Sequence, residues 1–226
     1  MSPTSKPLVA LFDVDETLVH TGGSGARSWS VAFDKLYGVA ADIGQHTSAG
    51  ETDPEVARET FKAVLRREPS DNELDRIYAL YLLNLAEDIL VSKNYRMLPG
   101  VDQCLTTLRE AGVMLGLVSG ALEGAARTKL IPANLNRFFL FGAYGSDSPD
   151  RAELTSIAIE KARRLHAELT PAQVFVVGDT PRDIDAAKKA GAVSVGVATG
   201  HYSVKDLSEA NADHVLSSLE EPFPGM

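Results

Sequence analysis

Leu8-Val-Ala-Leu-Phe-Asp-Val-Asp-Glu-Thr-Leu18 decides the fold. Five apolar residues, Leu8–Phe12, run without interruption into acidic ones, the form of a buried strand ending in a polar loop. The form repeats at Met114–Val118, Phe138–Phe141, Val174–Val177 and Val193–Val197. Helical patterns separate these runs. Val101, Cys104, Leu105 and Leu108 share one face before Gly112, Ala121–Leu130 ends near Pro132, Leu154–Leu165 carries an apolar stripe, and Asp183–Ala190 closes at Gly191. Strands alternating with helices indicate an α/β fold with a Rossmann-like parallel sheet.

The alternation breaks once. Between Trp29 and Leu90 three helical faces follow one another with no strand. They are built on Trp29/Phe33/Leu36, Val56/Phe61/Leu65 and Leu74/Ile77/Tyr81/Leu85. This is an all-helical insertion between the first two strands, entered at Gly22-Gly-Ser-Gly25 and left at Leu98-Pro-Gly100. The expected organisation is a core of residues 1–21 and 97–226 with a cap of residues 22–96. The tail Glu220–Met226, with two prolines and a glycine, reads as a frayed end.

Composition narrows the function. The 226 residues carry 22 Lys+Arg against 31 Asp+Glu, a net charge of -9, which argues against a nucleic-acid binder. Hydrophobic residues make up 44%, enough for a core without disulfides, and the single Cys104 has no internal partner. No apolar run approaches membrane-spanning length, and Met1–Pro7 leads straight into a strand, not a signal peptide. A cytoplasmic protein, monomer or homodimer, is expected. No P-loop, zinc cluster or serine-hydrolase elbow is present in the sequence.

In open parallel sheets ligands bind beyond the carboxyl ends of the strands. Asp13, Asp15 and Thr17 follow the first strand, Ser119 and Gly120 the second, Ser146–Arg151 the third, and Gly178, Asp179 and Asp183 the fourth. Crowded carboxylates repel unless a cation offsets them, and Mg²⁺ takes oxygen ligands of this kind.

Leu11-Phe-Asp-Val-Asp-Glu-Thr-Leu18 resembles the first motif of the haloacid-dehalogenase-like hydrolases, Val118-Ser-Gly120 the second, and Val176–Ala187 the fourth. Leu98-Pro-Gly100 before a helix is also common in the phosphoglycolate-phosphatase-like branch. The resemblance implies a Rossmann-like core with a mobile helical cap, Mg²⁺, a small phosphorylated metabolite as substrate, and phosphoryl transfer through an aspartyl-phosphate. It assigns Asp13 as nucleophile and metal ligand. Asp15 becomes the general acid/base and, through its carbonyl, a metal ligand. Asp179 is a further metal ligand and Asp183 a supporting acid that positions a cation or a metal-bound water. Ser119 and the Gly120 N–H hold phosphate, at the opening of a helix.

Where many relatives have a Lys-Pro, this chain reads Asp147-Ser-Pro-Asp-Arg151, so Arg151 takes the phosphate cation's role; Lys129 and Lys161, inside helices, are less suited. Thr17 ties down the loop. Gly50-Glu-Thr-Asp-Pro54 resembles a cap loop that reaches the site, with Gly50, Thr52 and Asp53 as candidate substrate contacts; Thr52 or Asp53 also reads as a plain helix cap. His20, His46 and Arg27 have weaker claims, and the tyrosines of the third cap helix read as core. The nearest substrate on this resemblance is phosphoglycolate. A sugar-phosphate mutase and a non-catalytic binding protein on the same fold are the alternatives.

Overall fold

A computed structural model describes residues 8–46 and 48–226; the stretch Met1–Pro7, read above as lacking a signal peptide, lies outside them. Six parallel strands form one sheet in the order β5-β4-β1-β6-β7-β8. They are β1 (Val9–Phe12), β4 (Met114–Ser119), β5 (Phe141–Tyr144), β6 (Val174–Gly178), β7 (Val193–Val197) and β8 (His214–Leu216). The short strands β2 (Val19–His20) and β3 (Arg96–Met97) pair antiparallel and form the neck through which the chain leaves and re-enters the sheet. β1 is buried at every residue and lies between β4 and β6, with Phe12 beside Leu117 and Val177. From β1 the chain builds outward through β4 and β5, then returns to the other side of β1 for β6. That reversal opens a crevice at the carboxyl ends of the three central strands.

Helices cover both faces. One face is packed by α6 (Arg151–Leu165) and α7 (Pro181–Lys189), with Leu154, Ala158 and Ala187 against Val9, Leu11 and Val176. α8 (Val204–Glu209) lies beside α7, where Leu207 and Ile184 both meet Gly196, and the other face carries α4 (Val101–Glu110) and α5 (Glu123–Leu130). Its core continues without a break into the inserted helices α1 (Ser24–Tyr37), α2 (Asp53–Leu65) and α3 (Asp71–Val91). Trp29 of α1 stacks on Tyr81 of α3 at 4.2 Å, and Phe33 meets Phe61 of α2 edge-on at 5.1 Å. Aromatic pairs at these separations add to their area burial. No described helix is long and apolar enough to cross a membrane.

Two expectations need correction. The run Phe138–Phe141 is not a strand: Leu135–Phe138 forms a 3₁₀ turn, and β5 begins at Phe141, paired with Gly116. Phe138 and Phe139 are buried from the turn, so the apolar run reflects burial without strand geometry. The C-terminal tail is not frayed. Phe223 is buried with its ring 6.3 Å from Phe12 and 5.9 Å from Phe175, and Leu219 is buried beside it. Gly100, at φ +79°, makes room for that tail, because a Cβ there would strike the Leu219 and Glu220 backbone.

Candidate active site

Strand ends set the floor. Asp13 follows β1, Ser119 ends β4, and Asp179 follows β6, so three adjacent strands deliver them to one edge. Asp13 N–H donates to Val177 O (2.9 Å), which locks the Asp13 backbone to β6. Asp13, Asp179 and Asp183 are buried, and one oxygen from each lies within 4.8 Å of the others. Close approach depends on two glycines: a Cβ at Gly178 would strike the Asp183 carboxyl, and one at Gly200 would strike Asp179 Oδ2.

Burial first, then Asp183 and Asp13, push the Asp179 carboxyl up to about 9. Burial also raises Asp13, with Asp183 and Asp15 adding to it and Arg151 opposing. Three buried carboxyls against the single guanidinium of Arg151 leave negative charge that is not fully offset. The donor set is hard, oxygen-only and crowded, and it fits a small divalent cation such as Mg²⁺. The side chain of Asp15 does not join this cluster.

Arg151 is the first residue of α6. Asp150 caps that helix by accepting from the Ala152 and Glu153 N–H groups (2.7 and 3.0 Å), which fixes where Arg151 starts. Its Nε donates to Asp183 Oδ1 (2.7 Å), and its Nη2 lies 3.0 Å from Asp13 Oδ1. Nη2 is buried yet makes no well-directed hydrogen bond. With Nη2 also 2.5 Å from Asp183 Oδ1, the planar fork is held between the two carboxylates as a fixed cation beside Asp13. Asp183 serves twice: Oδ1 holds Arg151, while Oδ2 accepts from Thr180 Oγ1 (2.7 Å) and Thr180 N (3.0 Å) in the capping box of α7. Thr17 Oγ1 donates to Asp179 Oδ1 (3.3 Å), so it braces the floor.

Ser119 and Gly120 do not open a helix directly, contrary to expectation. α5 starts at Glu123, and between them Ala121 N–H donates to Ser119 Oγ (3.3 Å) while Leu122 N–H donates to Asp53 Oδ2 (2.8 Å). The cap loop therefore takes a donor from the turn it covers. It also gives one, since Asp53 N–H donates to Gly120 O (2.8 Å). Thr52 is the N-cap of α2, with a capping box to Glu55, and its Oγ1 lies 3.2 Å from Pro149 O. The loop starts a helix, as read from the sequence, and it also places Gly50, Glu51 and Asp53 on the wall of a cavity. Burial raises the Asp53 carboxyl to about 6 against the opposing charge of Lys129.

Floor and wall enclose a cavity of about 380 Å³ lined by Asp13, Asp15, Ser119, Gly120, Arg151 and Asp179, and by Gly50, Glu51 and Asp53 of the wall. Thr52 is not on the lining. Of the weaker candidates, His20 lines it, with Nδ1 2.6 Å from Glu16 Oε1; Arg27 pairs with Asp88 outside (2.6 Å), and exposed His46 is not on the lining.

Lys129 is a lining residue to which the sequence reading gave no role. It is buried, lines the cavity, and places Nζ 2.6 Å from Asp15 Oδ2. Burial pulls its ammonium down, but Asp15, Tyr81 and Asp53 outweigh burial and hold it well above the usual lysine range. The signal was present in the helix pattern: Lys129 shares the buried face of α5 with Ala125, Ala126 and Leu130. Tyr81 is core on one side, against Trp29, and faces Lys129 on the other. Lys161, by contrast, braces Gly142 O (2.7 Å) and Asp147 away from the cavity.

A profile of haloacid dehalogenase-like hydrolases matches residues 8–191. The chain belongs to that family. It is 26% identical over 97% of its length to a phosphoglycolate phosphatase of Pseudomonas syringae pv. tomato, covering 79% of that protein. It is 30% identical over 91% of its length to a glyceraldehyde 3-phosphate phosphatase of Methanopyrus kandleri, covering 89% of it. In fold it is similar to the crystal structure of a predicted phosphoglycolate phosphatase from Haemophilus somnus, with a TM-score of 0.74 at 20% identity, over 94% of this chain and 95% of the other. It is also similar to CbbY from Rhodobacter sphaeroides in complex with phosphate, with a TM-score of 0.71 at 17% identity, over 95% and 96%. As a member of the family it is a hydrolase, and the sheet and flanking helices are those of its structural neighbours.

Proposed function

We propose that this hydrolase is a Mg²⁺-dependent phosphatase that cleaves a small phosphorylated metabolite through an aspartyl-phosphate on Asp13. The observation that carries the reading is Asp13 set between the Arg151 guanidinium, at 3.0 Å, and the carboxylates of Asp179 and Asp183. Such a floor combines a nucleophile, a fixed cation and a crowded set of hard ligands at one point. The activities named for the relatives, on phosphoglycolate and on glyceraldehyde 3-phosphate, support a small phosphate ester.

Asp13 attacks phosphorus through a carboxylate oxygen. As the ester P–O bond breaks, Asp15 gives its proton to the leaving alcohol oxygen. Asp15 then takes a proton from a water that attacks the same phosphorus. The bond to Asp13 breaks, and inorganic phosphate leaves with the carboxylate restored. Arg151, Ser119 Oγ and the Gly120 N–H hold the equatorial oxygens throughout. Lys129, donating to Asp15 Oδ2, holds that carboxyl in place and leaves Oδ1 to carry the proton passed to the departing alcohol. Asp13, Asp179 and the Asp15 carbonyl would hold Mg²⁺, with Asp183 behind them; when bound, the ion offsets the carboxylate charge that would repel a phosphate dianion.

The test is phosphate release from a panel of phosphorylated metabolites with Mg²⁺, comparing wild type with Asp13→Asn. Wild type releases free phosphate and not an isomerised phosphate ester. The variant falls by about 10⁴-fold or more, as for loss of a covalent nucleophile. A folded, Mg²⁺-loaded wild type that releases none overturns the reading.

A further inference from the structure

Lys129 stands where the inserted helices rest on the core. α5 lies against α3 there: a Cβ on Gly124 would meet the Leu82 side chain at 3.3 Å. Tyr95, at the neck, donates from its hydroxyl to Lys129 O (2.9 Å) and fixes the main chain. The Lys129 side chain is 6% exposed, yet it carries a charge. Burying an ammonium is costly, and an apolar side chain of similar volume often serves stability as well or better. Packing alone therefore does not call for a lysine at this seat.

Asp15, Tyr81 and Asp53 offset that cost. Tyr81 reaches the ammonium from α3. Its ring stacks on Trp29 at 4.2 Å with 13° between the planes, so packing sets where its hydroxyl points. Burial first, then Asp53, raises that hydroxyl, and it stays a neutral phenol hydrogen-bonded to Lys129. A lysine stem is flexible, and a second fixed partner selects the rotamer that meets the first. The first partner is Asp15 Oδ2, 2.6 Å from Nζ. An ammonium donates and cannot accept, so the oxygen it holds cannot carry the acid's proton. Oδ1 remains, on a side chain 43% exposed at the lining of the cavity.

We propose that Tyr81 is a positioning residue for proton transfer to the leaving alcohol: it fixes Lys129 Nζ, which in turn fixes Asp15. A residue of the inserted helices thereby sets the geometry of a step that the core carries out. This rests on the phosphatase reading and deepens it. As the ester P–O bond breaks, Asp15 Oδ1–H gives its proton to the departing oxygen, and neither Lys129 nor Tyr81 loses one.

The experiment compares kcat/KM for two classes of ester at saturating Mg²⁺. Glycerol phosphate and hydroxyethyl phosphate lose an alkoxide that needs a proton. p-Nitrophenyl phosphate and acetyl phosphate lose a stable anion that needs none. kcat/KM covers the steps up to departure of the leaving group, so later hydrolysis of the aspartyl-phosphate does not enter it. Tyr81→Phe keeps the ring and its stack and removes only the oxygen. It should lower the alkyl esters by about tenfold and the activated ones by less than about threefold, part of what a positioned acid supplies. Lys129→Met should move the ratio between the classes the same way and further, by about 10²-fold. Tyr78→Phe, on the same helix and edge-on to Trp29 at 6.2 Å, is the control and should leave the ratio unchanged. Thermal melting shows that each variant folds, and if Lys129→Met does not, Tyr81→Phe still decides. An equal fall on both classes in Tyr81→Phe, or none on either, overturns this inference, while hydrolysis by wild type upholds the phosphatase. No hydrolysis of any ester by folded, Mg²⁺-loaded wild type overturns the phosphatase reading and this one with it.

Discussion

The floor and the wall of the cavity are built by different means. Asp13, Ser119 and Asp179 stand at the ends of three adjacent buried strands, so the sheet itself sets their spacing. Gly50, Glu51 and Asp53 reach the same cavity on a loop tied to the floor by reversible contacts: Asp53 N to Gly120 O, Leu122 N to Asp53 Oδ2, and Thr52 Oγ1 to Pro149 O. A floor fixed by strands can hold a reacting centre through many turnovers. A wall held by a few hydrogen bonds can open and let product leave. Changes to the floor should therefore strike kcat, and changes to the wall KM.

Arg151→Met makes the largest test of that division. It removes the fixed cation and leaves Asp13 and Asp183 facing each other without it. A fall in kcat of about 10²- to 10³-fold is expected, the scale for losing a preorganised oxyanion donor. Steady-state kinetics check it, with circular dichroism to confirm the fold. A variant that lost only KM would place Arg151 with the wall.

The second test separates the two regions by pH. Asp179 is held up to about 9, against about 4 for a free carboxylate. Between those values the folded, metal-free protein keeps a proton that the unfolded chain has released. Its stability therefore falls as pH rises through that window. A divalent ion that replaces the proton removes the penalty. Mg²⁺ should thus raise Tm by more at pH 8 than at pH 5, and a chelator should reverse the gain. Asp179→Asn should abolish most of the difference. Asp53, raised to about 6 on the wall, has the same sign, but Asp53→Asn should leave the Mg²⁺-dependent shift intact. Differential scanning calorimetry with and without the ion reads both.

The same contrast explains what the sequence made legible. The floor could be read because each of its residues directly follows an apolar run, and β1, β4, β6 and β7 are such runs. β5 was displaced because Phe138 and Phe139 are buried from a turn, and burial alone does not distinguish turn from strand. Lys129 was passed over because its partner, Asp15, is 114 residues away, and only its place on the buried face of α5 hinted at it. Glu51 stands inside the Gly50–Pro54 loop, but its contact with Arg182, 131 residues away in the chain, exists only in three dimensions. The tail misled by composition: its prolines and glycine suggested an end, whereas Leu219 and Phe223 anchor it.

The smallest effect belongs to the hydroxyl of Thr52. It caps α2 by accepting from Glu55 N–H (3.4 Å), and it lies 3.2 Å from both Glu55 Oε2 and Pro149 O. One hydroxyl proton serves one of those acceptors at a time, so the bridge to the core is shared and weak. Thr52→Val keeps the shape and removes the oxygen. The expected loss is about 1 kcal/mol of stability, typical of an N-cap. Because the wall then covers the floor for less of the time, KM should rise by up to about fivefold, within what 1 kcal/mol allows, while kcat holds. Denaturant titration and steady-state kinetics on one preparation give both numbers. A fall in kcat matching the rise in KM would mean that loop closure also sets the geometry of Asp13, and that the floor is not independent of the wall.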